Sequence, residues 1–581
     1  MARLLISAAH KSSGKTTVTL GLCAALKAQG LVVQPFKKGP DYIDPMWLSQ
    51  ASARDCLNLD PFLQTPEQIQ RCFQLHSAGA DISIVEGNKG LYDGLALDGS
   101  NCNAALAQLL DLPVVLVLDA RGMTRGIAPL ILGYQAFDKR IRIAGVILNQ
   151  LGGARHESKL RAVIEHYTDV AVLGAIAHDD SLCVVERHLG LMPNHELDDA
   201  QERVLTIGAR IAAQVDLPRL LQVAGSAAPF PAAVFPAPTA EPMAEAARVR
   251  IAVARDKAFG FYYPDDLLAL QNAGADLVQL DTLNDAQLPP VDGLFIGGGF
   301  PEMFLPELQA NATLRQDIKS KLAAGLPTYA ECGGLMYLAR SIRWKDAAYE
   351  MVGALNADVV MHDRPVGRGY VELQATGDAP WTAKVATDGA APLRGHEFHY
   401  SSLENIAPDQ KFAYKVLRGH GVDGRHDGLV QHQVLGSYAH LRSAAGANWA
   451  QGFVDFVRAQ RDLARAECPA GALCVNGRKI ATDAEGYLKN LDDWSEDFAV
   501  AQAQREQLEL TEAHWQVIHF LRAYYEEHRA QAQVRAMIWH FANAWGAERG
   551  NNHHLHDLFP VGGPQKQGNR LAGLWKTKGE H

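Results

Sequence analysis

The sequence predicts two consecutive α/β domains followed by a small, mainly helical one, and three observations carry that reading. From Met1 to about Leu221, short apolar runs alternate with helical patterns, as in RLLISAA, VTLGLCAALKAQG, ISIVEG, VVLVLDA and AGVILNQ. A second alternation opens at RIAVARD and passes through ADLVQLD, GLFIGGG, LPTYAEC and LGSYAHL to close near Arg461. Beyond Cys468 the composition changes: Trp494, Trp515, Trp539, Trp545 and Trp575 all fall in the final fifth. Alternation of this kind means parallel strands joined by crossover helices. The stretch from Val223 to Arg248 is rich in Ala and Pro without periodic pattern, which reads as a linker. The expected boundaries are therefore 1–222, 223–248 for the linker, 249–462, and 468–581.

Composition sets the outer limits. A chain of 581 residues is too long for one core. With 48% hydrophobic residues and a formal net charge of -10, it offers no overall basic field to draw in nucleic acid or anionic lipid, so neither partner is expected. The eight cysteines are scattered without metal-ligand spacing, which suits a reducing cytoplasm better than a disulfide framework. No apolar run has the length of a membrane span, and MARLLISAA passes straight into a phosphate loop, so it reads as a first strand and not as a signal peptide.

That loop is AHKSSGKTT, Ala9 to Thr17, placed after a strand and opening a helix. The pattern points to ATP: Lys15 on the outer phosphates, Thr16 on Mg²⁺, and Ser13, Gly14 and Thr17 around the phosphate oxygens. Ala9 replaces the usual glycine, and His10 stands where partitioning ATPases carry a second lysine, which argues against a dimer-switch ATPase. Carboxylates recur where strands end, the edge at which open α/β sheets bind ligands: Asp41 and Asp44 in KKGPDYIDP, Glu86 and Asp93 in IVEGNKGLYDG. Oxygen ligands beside a triphosphate suit Mg²⁺. Asn149, ending AGVILNQ, has an amide edge suited to adenine.

In the second domain YAECGGL ends a strand at Cys332 and continues in two glycines. This is how a strand-to-helix elbow exposes a nucleophile and leaves the next amide, that of Gly333, free for an oxyanion. GLFIGGGFPE adds the amides of Gly298 and Gly299, and GSYAHL supplies a base, His440, far along the chain.

Taken together, GPDYIDP, EGNKGLYDG, ERHLGL, AFGFYYPDDL, GGGFPE, YAECGGL, RGHEFHYS and GSYAHL resemble the cobyrinate a,c-diamide synthase family over roughly residues 1–460. The resemblance implies a P-loop domain similar to dethiobiotin synthetase and a class I glutamine amidotransferase domain. It implies activation of peripheral acetates of a tetrapyrrole by ATP, then displacement of phosphate by ammonia taken from glutamine. Asp41, Glu86 and Asp93 match the metal and carboxylate site, with Asp93 counted as catalytic, and Tyr42 and Ile43 match positions that contact the macrocycle. Leu441 and Arg442 follow His440 where related amidotransferases place a glutamate, so a Cys332–His440 dyad is expected. Asn88 and Lys89 depart from the apolar residues usual before GLYDG and suggest a substrate richer in carboxylates.

The tail from about Val475 resembles the DsrC/TusE sulfur-relay family, but Asn569 and Glu580 stand where that family carries thiols. Without thiolates there is no persulfide carrier, and a docking module is expected, facing a dissimilatory sulfite reductase or sulfur-relay partner. The fusion favours siroheme or its metal-free precursor as substrate, with cobyrinate second. An ATP-driven cofactor-delivery scaffold is the reading of another class, and intact Lys15, Cys332 and His440 count against it.

Overall fold

The computed structural model describes residues 2–179, 186–187, 190–197, 199–229, 247–381, 391–443, 448–466, 471–475 and 478–576. Most of the expected linker, as well as Cys183, Cys468 and Glu580, lie outside the described residues.

The first domain is a parallel sheet built from β1 (Ala2–Ala8), β2 (Val33–Lys38), β3 (Leu57–Leu59), β4 (Ile82–Glu86), β5 (Val114–Asp119), β6 (Ile143–Leu151) and β7 (Ala171–Ala177). Their order is β3-β2-β4-β1-β5-β6-β7. Near-continuous apolar strands such as VVLVLD are what a sheet covered on both faces requires, and the two faces carry separate buried clusters. Register then does chemical work. Ile6 of β1 and Lys37 of β2 both pair with Glu86 of β4, so the phosphate loop, a lysine and a carboxylate leave the sheet side by side.

The second domain holds a ten-stranded mixed sheet. Its parallel half runs Ala275–Leu280, Val249–Ala254, Gly293–Ile296, Thr328–Glu331 and Val434–Ser437, and its antiparallel half contains Gly367–Ala375, Leu393–His399 and the short His440–Leu441 strand. Pairing of Glu331 with Ser437 and of His396 with His440 brings the two motifs together. The helix Trp449–Ala466 closes this domain a few residues beyond the expected boundary. Phe261 and Phe300 of the second domain pack into a core cluster of the first, so the two share a seam.

The third domain is a hairpin, Ala472–Val475 with Arg478–Ala481, followed by helices, and its two cores consist of its own residues. Helix Glu512–His528 buries Val517, Ile518 and Leu521, each contributing about 1.5–3 kcal/mol. His519 stacks on Trp515 and is half exposed. Trp539 and Trp575 are exposed. Five described cysteines are free and Cys474 is disulfide-bonded. No helix among the described residues is long and apolar enough to cross a membrane.

Candidate active site

Cys332 sits between strand Thr328–Glu331 and helix Gly333–Leu338 with φ 48° and ψ -101°. A non-glycine residue held there costs about 1–3 kcal/mol and persists only where the surroundings impose it. The thiol acts directly on His440, while its Sγ donates to the Phe398 carbonyl at 3.8 Å. Burial opposes charge on His440, but the bonds to Cys332 and Glu331 outweigh it and push the imidazole up to about 10. His440 Nδ1 lies 3.2 Å from Glu331 Oε2. The Glu331 carboxylate also accepts from Tyr329 Oη at 2.7 Å and from the Leu441 amide at 3.2 Å. Burial, then the charges of His440 and Arg442, hold the neighbouring His396 well below its usual range, so one imidazole of the stacked pair is charged and the other neutral.

The expected dyad therefore has a third member. Its carboxylate comes from the residue before the nucleophile and not from a position after the histidine. Sequence reasoning passed over Glu331 as part of an apolar strand; an acidic residue directly ahead of the elbow was the available signal. Arg442 instead clamps the seam, donating to Asp265 at 2.7 Å and to the Asn58 carbonyl of the first domain at 2.6 Å.

Of the three expected oxyanion glycines, Gly298 adjoins His440, and Gly333, which follows Cys332, packs against Gly299. A Cβ on Gly298 would lie 2.8 Å from His440 Cε1, one on Gly299 would lie 2.0 Å from the Ala258 carbonyl, and one on Gly333 would lie 3.1 Å from the Gly299 amide nitrogen. Side chains have no room there, so the wall is backbone.

At the phosphate loop Gly14 has φ 84°, and a Cβ on it would lie 2.2 Å from Asn149 Nδ2. Asn149 Nδ2 itself donates to the Ser13 carbonyl at 3.0 Å, so one hydrogen of its amide holds the loop. Ser13 donates to the His10 carbonyl, and Lys15, Thr16 and Thr17 open helix α1 (Lys15–Ala28). Burial lowers Lys15 to about 8, against the pull of Glu86. Asp93 contributes a smaller upward pull on Lys15, while its own Oδ2 accepts from the Gly90 amide at 2.9 Å.

Lys37, which sequence reasoning did not single out, is the hub of this site. Its Nζ lies 2.7 Å from Glu86 and bonds Asp44 at shorter range, with Asp41 at 3.8 Å. Thr16 Oγ1 donates to Glu86 at 2.7 Å and to Asp44 at 3.2 Å. Asp44 thus takes the place expected of Asp41. Asp41 Oδ1 instead accepts the Ile43 and Asp44 amides that begin helix α2 (Ile43–Ser52), and burial and Asp44 push it up to about 7. Among the described residues no three side chains form a metal cage by themselves. A nucleotide-bound Mg²⁺ needs only one or two protein oxygens. Thr16 Oγ1, Asp44 and the buried, unpartnered Glu86 Oε2 fit it.

Ile43 is buried in the first-domain core. The Tyr42 ring packs on Phe261, Tyr263, His396 and His440 of the second domain, the last at 5.3 Å between centroids. One helix start therefore places Tyr42 against the thiol's histidine and Asp44, two residues on, against Thr16.

In the third domain Asn569 is fully buried, donating to the Gln565 carbonyl. Its neighbours Gln567 and Arg570 are tied to Glu506.

Residues 2–183 match the AAA domain family, 250–447 the CobB/CobQ-like glutamine amidotransferase domain, and 474–579 the DsrC like protein family. The chain is 44% identical over 458 residues to the cobyrinate a,c-diamide synthase of Magnetococcus marinus, covering 78% of this chain and 97% of that one. It is 43% identical over 470 residues to the enzyme of the same name from Methanosarcina acetivorans, covering 76% and 93%. A solved structure of Allochromatium vinosum DsrC is 44% identical, covers 19% of this chain and 100% of that chain, and has a TM-score of 0.18.

Proposed function

The chain belongs to the cobyrinate a,c-diamide synthase family, whose members are glutamine-dependent amide-forming ligases, and we propose that it amidates the a and c acetates of sirohydrochlorin or siroheme. The observation that supports this substrate is the DsrC-like domain on the same chain, which fits sulfur metabolism. Cobyrinate is the second reading, favoured by the names of the relatives.

Glutamine binds with its amide carbonyl at Cys332 Sγ. The thiolate attacks, the oxyanion turns to the Gly298, Gly299 and Gly333 amides, and His440 gives its proton to the departing ammonia. Water then hydrolyses the thioester, with His440 as base and Glu331 holding the imidazole in register. In the first domain an acetate oxygen attacks the γ-phosphorus of ATP and ADP leaves. Lys15 and Lys37 offset the charge that gathers there. Mg²⁺, held by Thr16, Asp44 and Glu86, would supply further charge neutralisation on the phosphates. Ammonia attacks the resulting acyl phosphate, phosphate departs, and Asp93 takes up the proton that nitrogen sheds. Ammonia is nucleophilic only unprotonated, so its route must stay shielded from water. Tyr42 stands on that route, between His440 and the helix start that bears Asp44.

The test is to incubate the protein with ATP, Mg²⁺ and glutamine and either sirohydrochlorin or cobyrinate, weigh the products and compare kcat/KM. Preference for sirohydrochlorin supports the first reading; preference for cobyrinate replaces it with the second.

A further inference from the structure

A cleft of about 840 Å³ opens at the seam between the first two domains, outside both catalytic centres. Its first-domain wall includes Phe62, Ile69, Leu95 and Leu106, and its second-domain wall is Arg394 and Arg418. Both guanidinium groups lie over the Phe62 ring, at 5.1 and 5.4 Å from its centroid. The far side of that ring has a partner of its own, since Phe62 stacks on Tyr370 at 4.3 Å, and Tyr370 donates to Asp60. The platform is therefore fixed from both domains. Arg394 also reaches the Phe62 carbonyl at 3.3 Å and has Glu372 at 3.8 Å, whereas Arg418 pairs with no carboxylate among the described residues. Leu95, which lines the cleft, is 53% exposed, which is costly for a leucine that covers nothing.

The cleft also lies close to the chemistry. Leu95 follows Asp93 by two residues, at most about 7 Å of chain. Asn101, another lining residue, accepts at its carbonyl from Lys38, the neighbour of Lys37.

Resting on the proposed amidation, we infer that this cleft holds the body of the macrocyclic substrate. Leu95 takes its apolar face, and Arg394 and Arg418, held in place on the Phe62 ring, read free carboxylates on its rim. Arginine suits that task because its planar fork binds carboxylate in two bonds while stacking on an aromatic ring. A disc fringed with carboxylates is complementary to a cleft whose second-domain wall is two arginines. The two arginines also give a reason for recognising the unreacted parts of the molecule, since a macrocycle gripped by carboxylates that stay free can turn its acetates one at a time toward Asp93.

The test uses the full chain and two water-soluble probes, uroporphyrin, which carries free acetates and propionates, and a tetracationic N-methylpyridyl porphyrin of similar size. Binding is followed by absorbance titration against the parent, Arg394→Gln, Arg418→Gln, the double variant and Phe62→Leu. The expected result is uroporphyrin binding by the parent that weakens with salt, about tenfold weaker binding in each arginine variant, a further loss in the double, and no binding of the cationic probe. Circular dichroism and the melting temperature identify any variant that has not folded, and Phe62→Leu, which keeps both charges, supplies an independent readout with weaker binding at an unchanged salt slope. Equal uroporphyrin affinity in the parent and the folded double variant overturns the inference while leaving amidation standing, provided the parent still amidates a tetrapyrrole. A parent that neither binds nor amidates any tetrapyrrole overturns both.

Discussion

His440 Nδ1 lies 3.2 Å from the carboxylate of Glu331, the residue immediately ahead of the nucleophile Cys332. One strand end thus supplies both the thiol and the group that orients its base. A carboxylate on Nδ1 fixes which nitrogen faces the thiol and stabilises the imidazolium.

Replacing Glu331 by Gln should lower glutamine hydrolysis by about 10²-fold while leaving amidation from added ammonium salts near the parent rate. Steady-state assays with each nitrogen donor check this, and equal glutaminase rates in the two proteins contradict it.

The same contact has a pH signature. His440 is raised from 6.5 to about 10, burial opposing and the Cys332 and Glu331 bonds prevailing. The folded state therefore holds a proton that the unfolded chain releases above about 6.5. This stabilisation is full below that pH and is lost as pH rises through about 10. Lys15, lowered to about 8, works in the opposite sense over the upper part of that window, so the difference between proteins is the informative quantity. The fall in melting temperature from pH 7 to 10 should be shallower in Glu331→Gln than in the parent; parallel curves count against the pairing.

Tyr42→Ala should uncouple the two sites. Glutamine consumed per amide formed rises above the parent ratio, ammonia-supported amidation persists, and the KM for tetrapyrrole changes little because Tyr42 faces His440 and His396 and not the outer cleft. A large rise in that KM with unchanged stoichiometry would return Tyr42 to macrocycle binding.

How much of this was legible in the sequence follows from the range of the interactions. The phosphate loop, the Cys332 elbow and the glycines around it are local patterns, and three or four adjacent residues suffice to read them. Lys37, Glu331 and the exchange of Asp44 for Asp41 depend on register. Lys37 matters because β2 pairs it with Glu86, and Glu331 matters because its strand lies beside the one that leads to His440. Tyr42 was assigned to the macrocycle because nothing in its neighbourhood of the chain announces Tyr263 or His396, more than two hundred residues away.

Cys332→Ala and Lys15→Ala should separate the half-reactions. The first abolishes use of glutamine and spares ammonia-dependent synthesis. The second removes synthesis with either donor, by on the order of 10²–10³-fold, because the transferring phosphoryl group loses its cation. Ammonia-dependent activity retained in Lys15→Ala would mean that phosphorylation occurs elsewhere.

Deleting the chain after Arg465 should leave amidation of free tetrapyrrole within a few-fold of the parent, since the third domain builds its cores from its own residues. Co-purification with dissimilatory sulfite reductase should weaken. Loss of turnover in folded, truncated protein would make that domain part of the catalytic assembly.

The most direct measurement supplies amide-¹⁵N glutamine, ATP, Mg²⁺ and sirohydrochlorin, and follows nitrogen into the product by mass spectrometry. The expected product is the a,c-diamide carrying ¹⁵N at both new amides, formed only with ATP and lost in Cys332→Ala. No amide on any tetrapyrrole, or amides formed without the label, would contradict the account.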